Sequence, residues 1–233
     1  MMLTMNQVKN KSAPHLLNLH PVVLIAATFL IERCYTRGVP ILITQGLRTI
    51  ADQDELYAQG RTKTGSIVTN ARGGYSYHNY GLAIDFALLL PDGKSVSWDM
   101  CRDGNGDLNA DWQEVVREGK ALGLEWGGDW TRFKDYSHFQ LTFGLTITQL
   151  CAGFRPSSSA VEAANRIINQ KEEGQKVEKE VIAIVKVNGV KIADGFLDNG
   201  ITYVPVRILA EALGAQVGYD ATTKTVEITA RAN

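Results

Sequence analysis

Residues 82–90 read LAIDFALLL, and this stretch decides the fold of the N-terminal part of the chain. An apolar run closed by the turn residues at 91–93 predicts a buried strand. Strand alternation puts Ala83, Asp85 and Ala87 on one face. A carboxylate in such a strand is costly unless its charge is compensated. Asp85 is therefore a candidate metal ligand, with a buried arginine partner as the alternative.

The sequence around this strand predicts a mixed α+β domain that spans residues 1–154. Helices are expected at 21–36, 51–59 and 111–122. Further strands are expected at 39–44 and 139–143, where β-branched and aromatic residues are frequent.

Residues 155–180 are predicted to be a linker. They contain a serine triplet and the charged run KEEGQKVEKE, with a short helix expected around 160–170 and few apolar side chains that could dock on a core. From Val181 the sequence is β-rich again, with Asn-Gly turn signals at 188–189 and 199–200 and a helix after Pro205. Residues 181–233 are thus predicted to form a small α+β domain.

The overall charge excludes one class of ligand. The 233 residues carry 24 basic and 25 acidic side chains, a net charge of -1. Binding to duplex nucleic acid needs concentrated basic charge, so no nucleic-acid partner is expected.

The N-terminal apolar run at 21–31 is too short to cross a bilayer, which takes about 20 residues, so no membrane insertion is expected. Glu32 and Arg33 follow it instead of a small-residue cleavage site. The sequence therefore predicts synthesis in the cytoplasm without a signal peptide.

The cysteines point to the same compartment. Cys34, Cys101 and Cys151 are far apart and odd in number, which predicts buried free thiols rather than a disulfide framework. Free thiols suit a protein folded in a reducing cytoplasm.

Two of the four histidines could bind a metal ion together with Asp85. His78 precedes it by seven residues, and a turn at Gly81 would let both side chains converge. His138 lies in HFQLT, which alternates like a strand, and offers a third ligand. Two imidazoles and a carboxylate with an open fourth position form a catalytic zinc set. His15 and the histidine at position 20 are interpreted as structural or surface residues.

Two further polar residues could take part in the chemistry. Asp135 lies three residues before His138, where it could take a proton from the attacking water and pass it to a leaving amine; the alternative is a turn-forming aspartate. Arg48, in QGLRT, could hold a carbonyl oxygen and the oxyanion formed from it; the alternative is a salt bridge with Asp52 or Asp54.

The segment Asp103–Glu114 spaces its oxygen side chains like a calcium loop. Leu108, however, occupies the position where that loop requires glycine. Asp111 and Glu114 are also explained as an N-cap and its capping-box partner, and this interpretation is preferred to calcium.

The blocks GLRT, QDELYAQGRT, SYHNYGLAIDF, LEWGGDW and DYSHFQ, in this order over about residues 39–143, resemble the D-alanyl-D-alanine carboxypeptidase-like zinc peptidase superfamily. The similarity is greatest to its L-alanyl-D-glutamate endopeptidase branch, which includes phage endolysins. The core pattern S-x-H-x-x-G-x-A-x-D is matched from Ser76 to Asp85. Gln140 departs from the pattern, since relatives often carry an acid there.

This resemblance implies a central antiparallel sheet with flanking helices and a zinc ion bound by His78, Asp85 and His138. It implies that Asp135 is the general base and that Arg48 stabilises the transition state. Gln53 and Ser76 match positions that line the substrate site, and these two would bind substrate.

The activity so implied is that of a zinc-dependent endopeptidase, an endolysin, that hydrolyses the stem peptide of bacterial peptidoglycan between L-Ala and D-Glu. Such a protein would act at the cell wall after release from the cytoplasm. The alternatives are a D,D- or L,D-carboxypeptidase of wall peptides, which a free basic side chain beside the zinc would favour, and a non-catalytic wall-binding protein.

The C-terminal domain resembles the small domain named after the N-terminal part of copper amine oxidases. The matching blocks are VKVNGVKI, NGITYVPVRILAEALGA and YDATTKTVEI. Residues 181–233 contain no His, Cys or Met, so copper is not expected. Cell-wall attachment is the expected role, with a stabilising or dimerising unit as the alternative.

Overall fold

The computed structural model describes residues 3–175, 183–198, 201–220, 223 and 225–230. Contacts between residues divide the chain into two compact units, Met1–Glu172 and Glu173–Asn233. The predicted turn at 199–200 and the end of the predicted linker at 176–180 lie outside the described residues.

The first unit has the predicted α+β fold, built on a five-stranded antiparallel sheet. In chain order its strands are β1 (Ile41–Gln45), β2 (Ala83–Leu89), β3 (Val96–Ser97), β4 (Glu125–Trp126) and β5 (His138–Gln140). The strand order is β1-β2-β5-β4, and β3 pairs with the far end of β2. The stretch at 82–90 is thus the central strand.

Helices flank this sheet. They are α1 (Met5–Ser12), α2 (Pro21–Thr36), α3 (Ile50–Ala58), α4 (Asp111–Ala121), α5 (Ile147–Cys151) and α6 (Ser158–Gln175). The predicted bounds of α2 are confirmed, and Gly38 after it adopts a φ of +79°, a left-handed conformation that glycine accepts without strain. Helix α1 precedes the first predicted element. It begins at a Thr4–Gln7 capping box but buries only Val8 and Ser12, so its hydrophobic pattern is weak.

The aromatic part of the core lies on one side of the central strand. Ile84 and Phe86 are fully buried, and the Phe86 ring stacks on Phe139 at 5.3 Å and meets Trp112 of α4 at 4.6 Å between centroids. Because alternate strand residues face opposite sides, Asp85 points away from this aromatic cluster. The hydrophobic core therefore fixes the side on which the polar site forms.

The predicted linker begins with an ordered helix. Ala164 and Ile168 of α6, one turn apart on the same face, are 8% and 1% exposed and belong to the hydrophobic core of the first unit. The helix expected around 160–170 is therefore confirmed, and two of its apolar side chains pack on the core. By contacts, the first unit extends to Glu172.

The second unit is small and mostly exposed. Its elements are β6 (Ala183–Val187), β7 (Val190–Asp198), β8 (Ile201–Tyr203), α7 (Val206–Ala212), β9 (Gln216–Asp220) and β10 (Thr225–Thr229). Strands β6, β7 and β8 form an antiparallel sheet, and β9 pairs with β10. Asn188 and Gly189 both have positive φ, as the predicted two-residue hairpin turn requires. Pro205 is the N-cap of the predicted helix.

The cysteines are all free, but only Cys34 is buried; Cys101 and Cys151 are exposed, which corrects the expectation of three buried thiols. Among the described helices, none combines the length and the apolar character that crossing a bilayer would require.

Candidate metal centre and active site

Strand register brings the first two predicted ligands together. Asp85 of β2 lies directly opposite His138 of β5 in the antiparallel ladder. Side chains opposite one another in such a ladder project to the same face with Cβ atoms about 5 Å apart. As a result, Asp85 Oδ1 lies 3.2 Å from His138 Nδ1.

The third ligand, His78, lies on a short helix before β2. Residues Tyr77–Tyr80 form one turn of 3₁₀ helix, which Ser76 caps through its hydroxyl. Gly81 ends this turn with a φ of +66°, so the chain reverses before it enters β2. The predicted turn at Gly81 is thus confirmed, and it places His78 Nε2 3.3 Å from Asp85 Oδ1.

The three side chains fit a divalent metal. His78 Nε2 and His138 Nδ1 are 3.2 Å apart, so the three ligand atoms form a nearly equilateral triangle with Asp85 Oδ1. Bonds of about 2.0–2.1 Å at the tetrahedral angle would place neighbouring ligand atoms about 3.3 Å apart. Within the described residues, this triad is the one His, Cys, Asp or Glu cluster with metal-ligand spacing.

The other ring nitrogens of both histidines face oxygen acceptors. His78 Nδ1 lies 2.8 Å from the carbonyl of Gly46, and His138 Nε2 lies 3.1 Å from Oε1 of Gln140. With a metal bound, each of these two nitrogens would carry the ring proton and donate to its oxygen acceptor. The remaining nitrogens, His78 Nε2 and His138 Nδ1, would then direct their lone pairs at the same ion.

The pKa values of Asp85 and His138 are both shifted by their surroundings. Burial raises the pKa of Asp85, but His78 and His138 more than offset this and hold it well below its usual range. Burial lowers the pKa of His138, while its hydrogen bond and charge interaction with Asp85 raise it to a net value above normal. Asp85 is thus an anion poised to bind positive charge.

Arg48 lies beside this triad. Its Nη2 is 3.5 Å from Asp85 Oδ2, so the predicted alternative of a salt bridge with Asp52 or Asp54 is not what forms. Nη1 donates to Oε1 of Gln53 at 2.8 Å. The guanidinium is thus held between a metal ligand and a neutral amide.

Gln53 is placed behind Arg48. It is fully buried, and its Nε2 donates to the carbonyl of Ala71 at 2.8 Å, which ties Arg48 to the loop that walls the site. Gln53 is not among the lining residues of the cavity, so its described link to the site runs through Arg48, and direct substrate binding by Gln53 stays a prediction. Ser76 does line the cavity, so substrate contact by Ser76 remains a prediction.

Asp135 reaches the site because a glycine lets its loop approach. A Cβ on Gly127 would lie 2.4 Å from the Asp135 carbonyl and 3.1 Å from His138 Cβ, so no larger residue fits. The indole nitrogens of Trp126 and Trp112 both donate to the carbonyl of Tyr136 and anchor the same loop. The backbone N–H of His138 donates to the Asp135 carbonyl at 3.4 Å, and both residues line the same cavity.

These groups line one cavity of about 660 Å³. Trp130 forms part of its wall, with its ring 5.1 Å from that of His138. The lining residues include Arg48, Val68, Thr69, Asn70, Tyr75, Ser76, His78, Asp85, Trp130, Arg132, Phe133, Asp135, His138 and Gln140. Sequence reasoning missed Trp130 and Arg132, because only the fold brings these side chains to the metal centre.

The other two histidines, predicted to be structural or surface residues, lie outside the metal triad, and the prediction is confirmed for His20. The His20 side chain caps α2 by accepting from the backbone N–H of Val22, and burial lowers its pKa. The backbone carbonyl of His15 would lie 1.8 Å from a Cβ on Gly46. This close approach explains why position 46 is a glycine. The carbonyl of Gly46 is the acceptor that faces His78 Nδ1.

The calcium-like segment uses its oxygens internally. Asp103 accepts the backbone N–H groups of Gly106 and Leu108, and the carboxylate of Asp111 accepts that of Gly104. The N-cap of α4 is Ala110 with no side-chain cap, so the predicted capping box is wrong. Leu108 takes a φ of +69°, the conformation for which a calcium loop uses glycine.

The family model described as D-alanyl-D-alanine carboxypeptidase matches residues 69–141, and the one described as copper amine oxidase N-terminal domain matches residues 186–233. Over 124 residues the chain is 57% identical to the peptidoglycan L-alanyl-D-glutamate endopeptidase CwlK of Bacillus subtilis (strain 168), covering 53% of this chain and 74% of that protein.

Two other comparisons extend over similar lengths. An L-alanyl-D-glutamate peptidase of Listeria phage A118 is 32% identical over 145 residues, which cover 62% of this chain and about half, 46%, of that relative. The crystal structure of the Serratia marcescens L-Ala D-Glu endopeptidase ChiX aligns with a TM-score of 0.42 and 26% identity, over 57% of this chain and 87% of the other.

The fold, the His-Asp-His metal site and the first family match define a metallopeptidase of the D-alanyl-D-alanine carboxypeptidase-like class. Within that class, the chain belongs to the family of the Bacillus subtilis peptidoglycan endopeptidase, and its C-terminal unit is a copper amine oxidase N-terminal-like domain.

Proposed function

We propose that this protein is a zinc-dependent endopeptidase that hydrolyses the bond between L-alanine and D-glutamate in the stem peptide of peptidoglycan. The observation that carries the proposal is the triangle of His78, Asp85 and His138 ligand atoms in one cavity with Arg48 and Asp135. The two relatives that are 57% and 32% identical to this chain are named for that activity.

Zinc suits the ligand set better than other common metals. Two imidazole nitrogens and one carboxylate oxygen, with a face open to the cavity, form a typical catalytic zinc site, whereas calcium and magnesium prefer oxygen ligands. When bound there, zinc would supply Lewis acidity, which lowers the pKa of water and polarises a carbonyl.

The chain's own residues would supply the proton transfers. Ser137 Oγ donates to Asp135 Oδ1 at 2.9 Å and so fixes the orientation of the carboxylate. The other oxygen of Asp135 then takes the proton of the attacking water and delivers it to the leaving nitrogen. The guanidinium of Arg48 stabilises the negative charge that develops on the carbonyl oxygen of the substrate.

A carboxypeptidase is the second candidate, because Arg132 provides the basic side chain that such an enzyme would need. Arg132 is an exposed basic side chain in the wall of the cavity, where it could bind a terminal carboxylate. A D-glutamyl unit also carries a free carboxylate, because only one of its two carboxyl groups is joined to the next residue. Arg132 is therefore compatible with both activities.

Digestion of purified peptidoglycan separates the candidates. New L-alanine carboxyl ends and new D-glutamate amino ends, identified by mass spectrometry, support the endopeptidase. Release of D-alanine supports the carboxypeptidase. No cleavage by protein that carries zinc would indicate a non-catalytic wall-binding protein, a role that the position of Asp135 in the cavity argues against.

We further propose that the C-terminal unit attaches the enzyme to the wall. Its family match spans residues 186–233, and it exposes apolar side chains such as Val190, Tyr219 and Ile228. Cosedimentation with insoluble peptidoglycan should be weaker for a chain ending at residue 175 than for the full chain. Equal binding, or loss of dimers instead, would favour a stabilising or dimerising role. Action at the wall after release from the cytoplasm remains a prediction from the sequence.

A further inference from the structure

A row of polar side chains leads outward from the metal site along the sheet. Gln140 follows His138 by two residues on β5 and lies opposite Glu125 of β4 and Ala83 of β2. The three positions share the face that carries the metal ligands. Because Ala83 is small, the carboxamide of Gln140 has room to turn toward His138.

The hydrogen bonds along this row run in one direction. His138 Nε2 donates to Gln140 Oε1 at 3.1 Å, and Gln140 Nε2 donates to Glu125 Oε2 at 3.0 Å. Thr142 Oγ1 donates to the other oxygen of Glu125 at 2.6 Å. Each carboxylate oxygen of Glu125 thus accepts one hydrogen bond, and the carboxylate is held in place.

We propose that Gln140 and Glu125 are positioning residues that keep His138 in the tautomer required for metal binding through Nδ1. Gln140 is a primary amide, and it can present either its oxygen or its NH₂ group to His138. The ionised Glu125 accepts only, so it binds the NH₂ end and leaves Oε1 for the imidazole. A flipped amide would instead place a donor against His138 Nε2 and favour the tautomer whose proton occupies Nδ1.

Among the described residues, Gln140 Oε1 is the hydrogen-bond acceptor for His138 Nε2. His138 is 5% exposed and Gln140 is 6% exposed, so little of either side chain is accessible to water that could replace a lost acceptor. Removal of groups that orient metal-ligating histidines typically weakens metal affinity by about 10- to 100-fold. The inference rests on the proposed zinc site and adds to it the two residues that hold one ligand.

Zinc affinity, measured by competition with a chromophoric chelator, is the direct test. Gln140→Met, which keeps the side-chain volume but removes the acceptor, should weaken zinc binding at least tenfold. Glu125→Leu changes an exposed position and should weaken it several-fold, because the amide is then free to flip. Glu162→Leu, at an exposed glutamate of α6, is the matched control and should bind zinc like the unmodified protein.

A second variant separates the effect of the amide orientation from that of side-chain packing. Gln140→Glu places two equivalent oxygens at this position, so no flip can occur and zinc binding should persist. Adding Glu125→Leu to this variant should not weaken binding. The cobalt-substituted proteins give an independent readout, since the ligand-field absorption bands should weaken for Gln140→Met and stay intense for Gln140→Glu.

The outcomes distinguish the two proposals. If the unmodified protein fails to bind zinc, the proposed function itself is wrong. If it binds zinc tightly and Gln140→Met binds equally well, only the positioning role is overturned. The same holds if Glu125→Leu weakens binding as much in the Gln140→Glu background as in the unmodified one. Thermal melting of the metal-free proteins shows whether each variant is folded. If Gln140→Met does not fold, Glu125→Leu at the exposed position still tests the proposal.

Discussion

Replacement of Gln53 by methionine tests how Arg48 is held. The substitution nearly preserves volume in a fully buried position but removes the acceptor for Arg48 Nη1 and the donor to the Ala71 carbonyl. Arg48 Nε is itself buried without a hydrogen-bond partner, so the guanidinium would then be held through Asp85 alone among the described contacts.

The expected loss follows from these contacts. A hydrogen bond to a charged group contributes about 1.5–3 kcal/mol. If that energy is what holds Arg48 against the developing oxyanion, kcat/KM should fall about 10- to 100-fold, since about 1.4 kcal/mol corresponds to a factor of ten. Zinc content should be unchanged, because the side-chain hydrogen bonds of Gln53 go to Arg48, Thr69 and Ala71 and not to a metal ligand.

Steady-state hydrolysis of a defined stem peptide, zinc analysis of the purified variant and its melting temperature give the three readouts. Gln113→Met, the same chemical change at an exposed position of α4, serves as the control. Unchanged kcat/KM in folded, zinc-loaded Gln53→Met would refute the role assigned to Gln53. Loss of activity in proportion to loss of zinc would refute it as well, because the effect would then run through the metal.

The other predictions concern the metal, the base, the substrate and the core. Exhaustive chelation should abolish turnover and added zinc restore it; activity in metal-free protein would contradict the proposed mechanism. Asp135→Asn should keep zinc but lose about 10²- to 10⁴-fold in kcat, whereas His138→Ala should lose both, as metal analysis and kinetics will show. Arg132→Ala should raise KM about 3- to 10-fold for a stem peptide with a free D-glutamate carboxylate and less for its amide, and equal effects would exclude this contact. Ile168→Ala should lower the free energy of unfolding by about 2–4 kcal/mol, measured in urea by tryptophan fluorescence, which reports the first unit because all four tryptophans lie there. An unchanged midpoint would show that α6 does not stabilise this unit.

The sequence predicts the centre of the fold because its signals there are local. The apolar run around Asp85 ends in turn residues, and the turn at Gly81 is visible as a glycine between His78 and the strand. Most strand and helix bounds in the first unit differ from the predicted ones by one or two residues, as is usual at element ends, but β5 ends three residues before the predicted end and α6 extends beyond the predicted helix at both ends. The three ligands could be chosen because the chain has only four histidines and because Asp85 is the one carboxylate within the apolar run at 82–90.

The parts that sequence reasoning missed depend on partners far along the chain. Ile168 is an unremarkable apolar residue in a polar segment until the core that buries it is known. The capping-box pattern at 111–114 fits the sequence, yet the carboxylate of Asp111 is used by the backbone of Gly104 instead. Gln53 and Ala71 are 18 residues apart, and no periodicity connects them.

The neutral side chain at position 140 also bears on the electrostatics of the site. An acid hydrogen-bonded to His138 would increase the electron density that the imidazole donates to a bound metal and so reduce its electrophilicity. Gln140 fixes the same nitrogen without adding a negative charge next to the ligand set. A divalent ion held by one carboxylate and two neutral imidazoles keeps a net positive charge, to which Arg48 adds another. Such a site favours the oxyanion of the transition state over the neutral carbonyl of the substrate, and this difference is what accelerates the reaction.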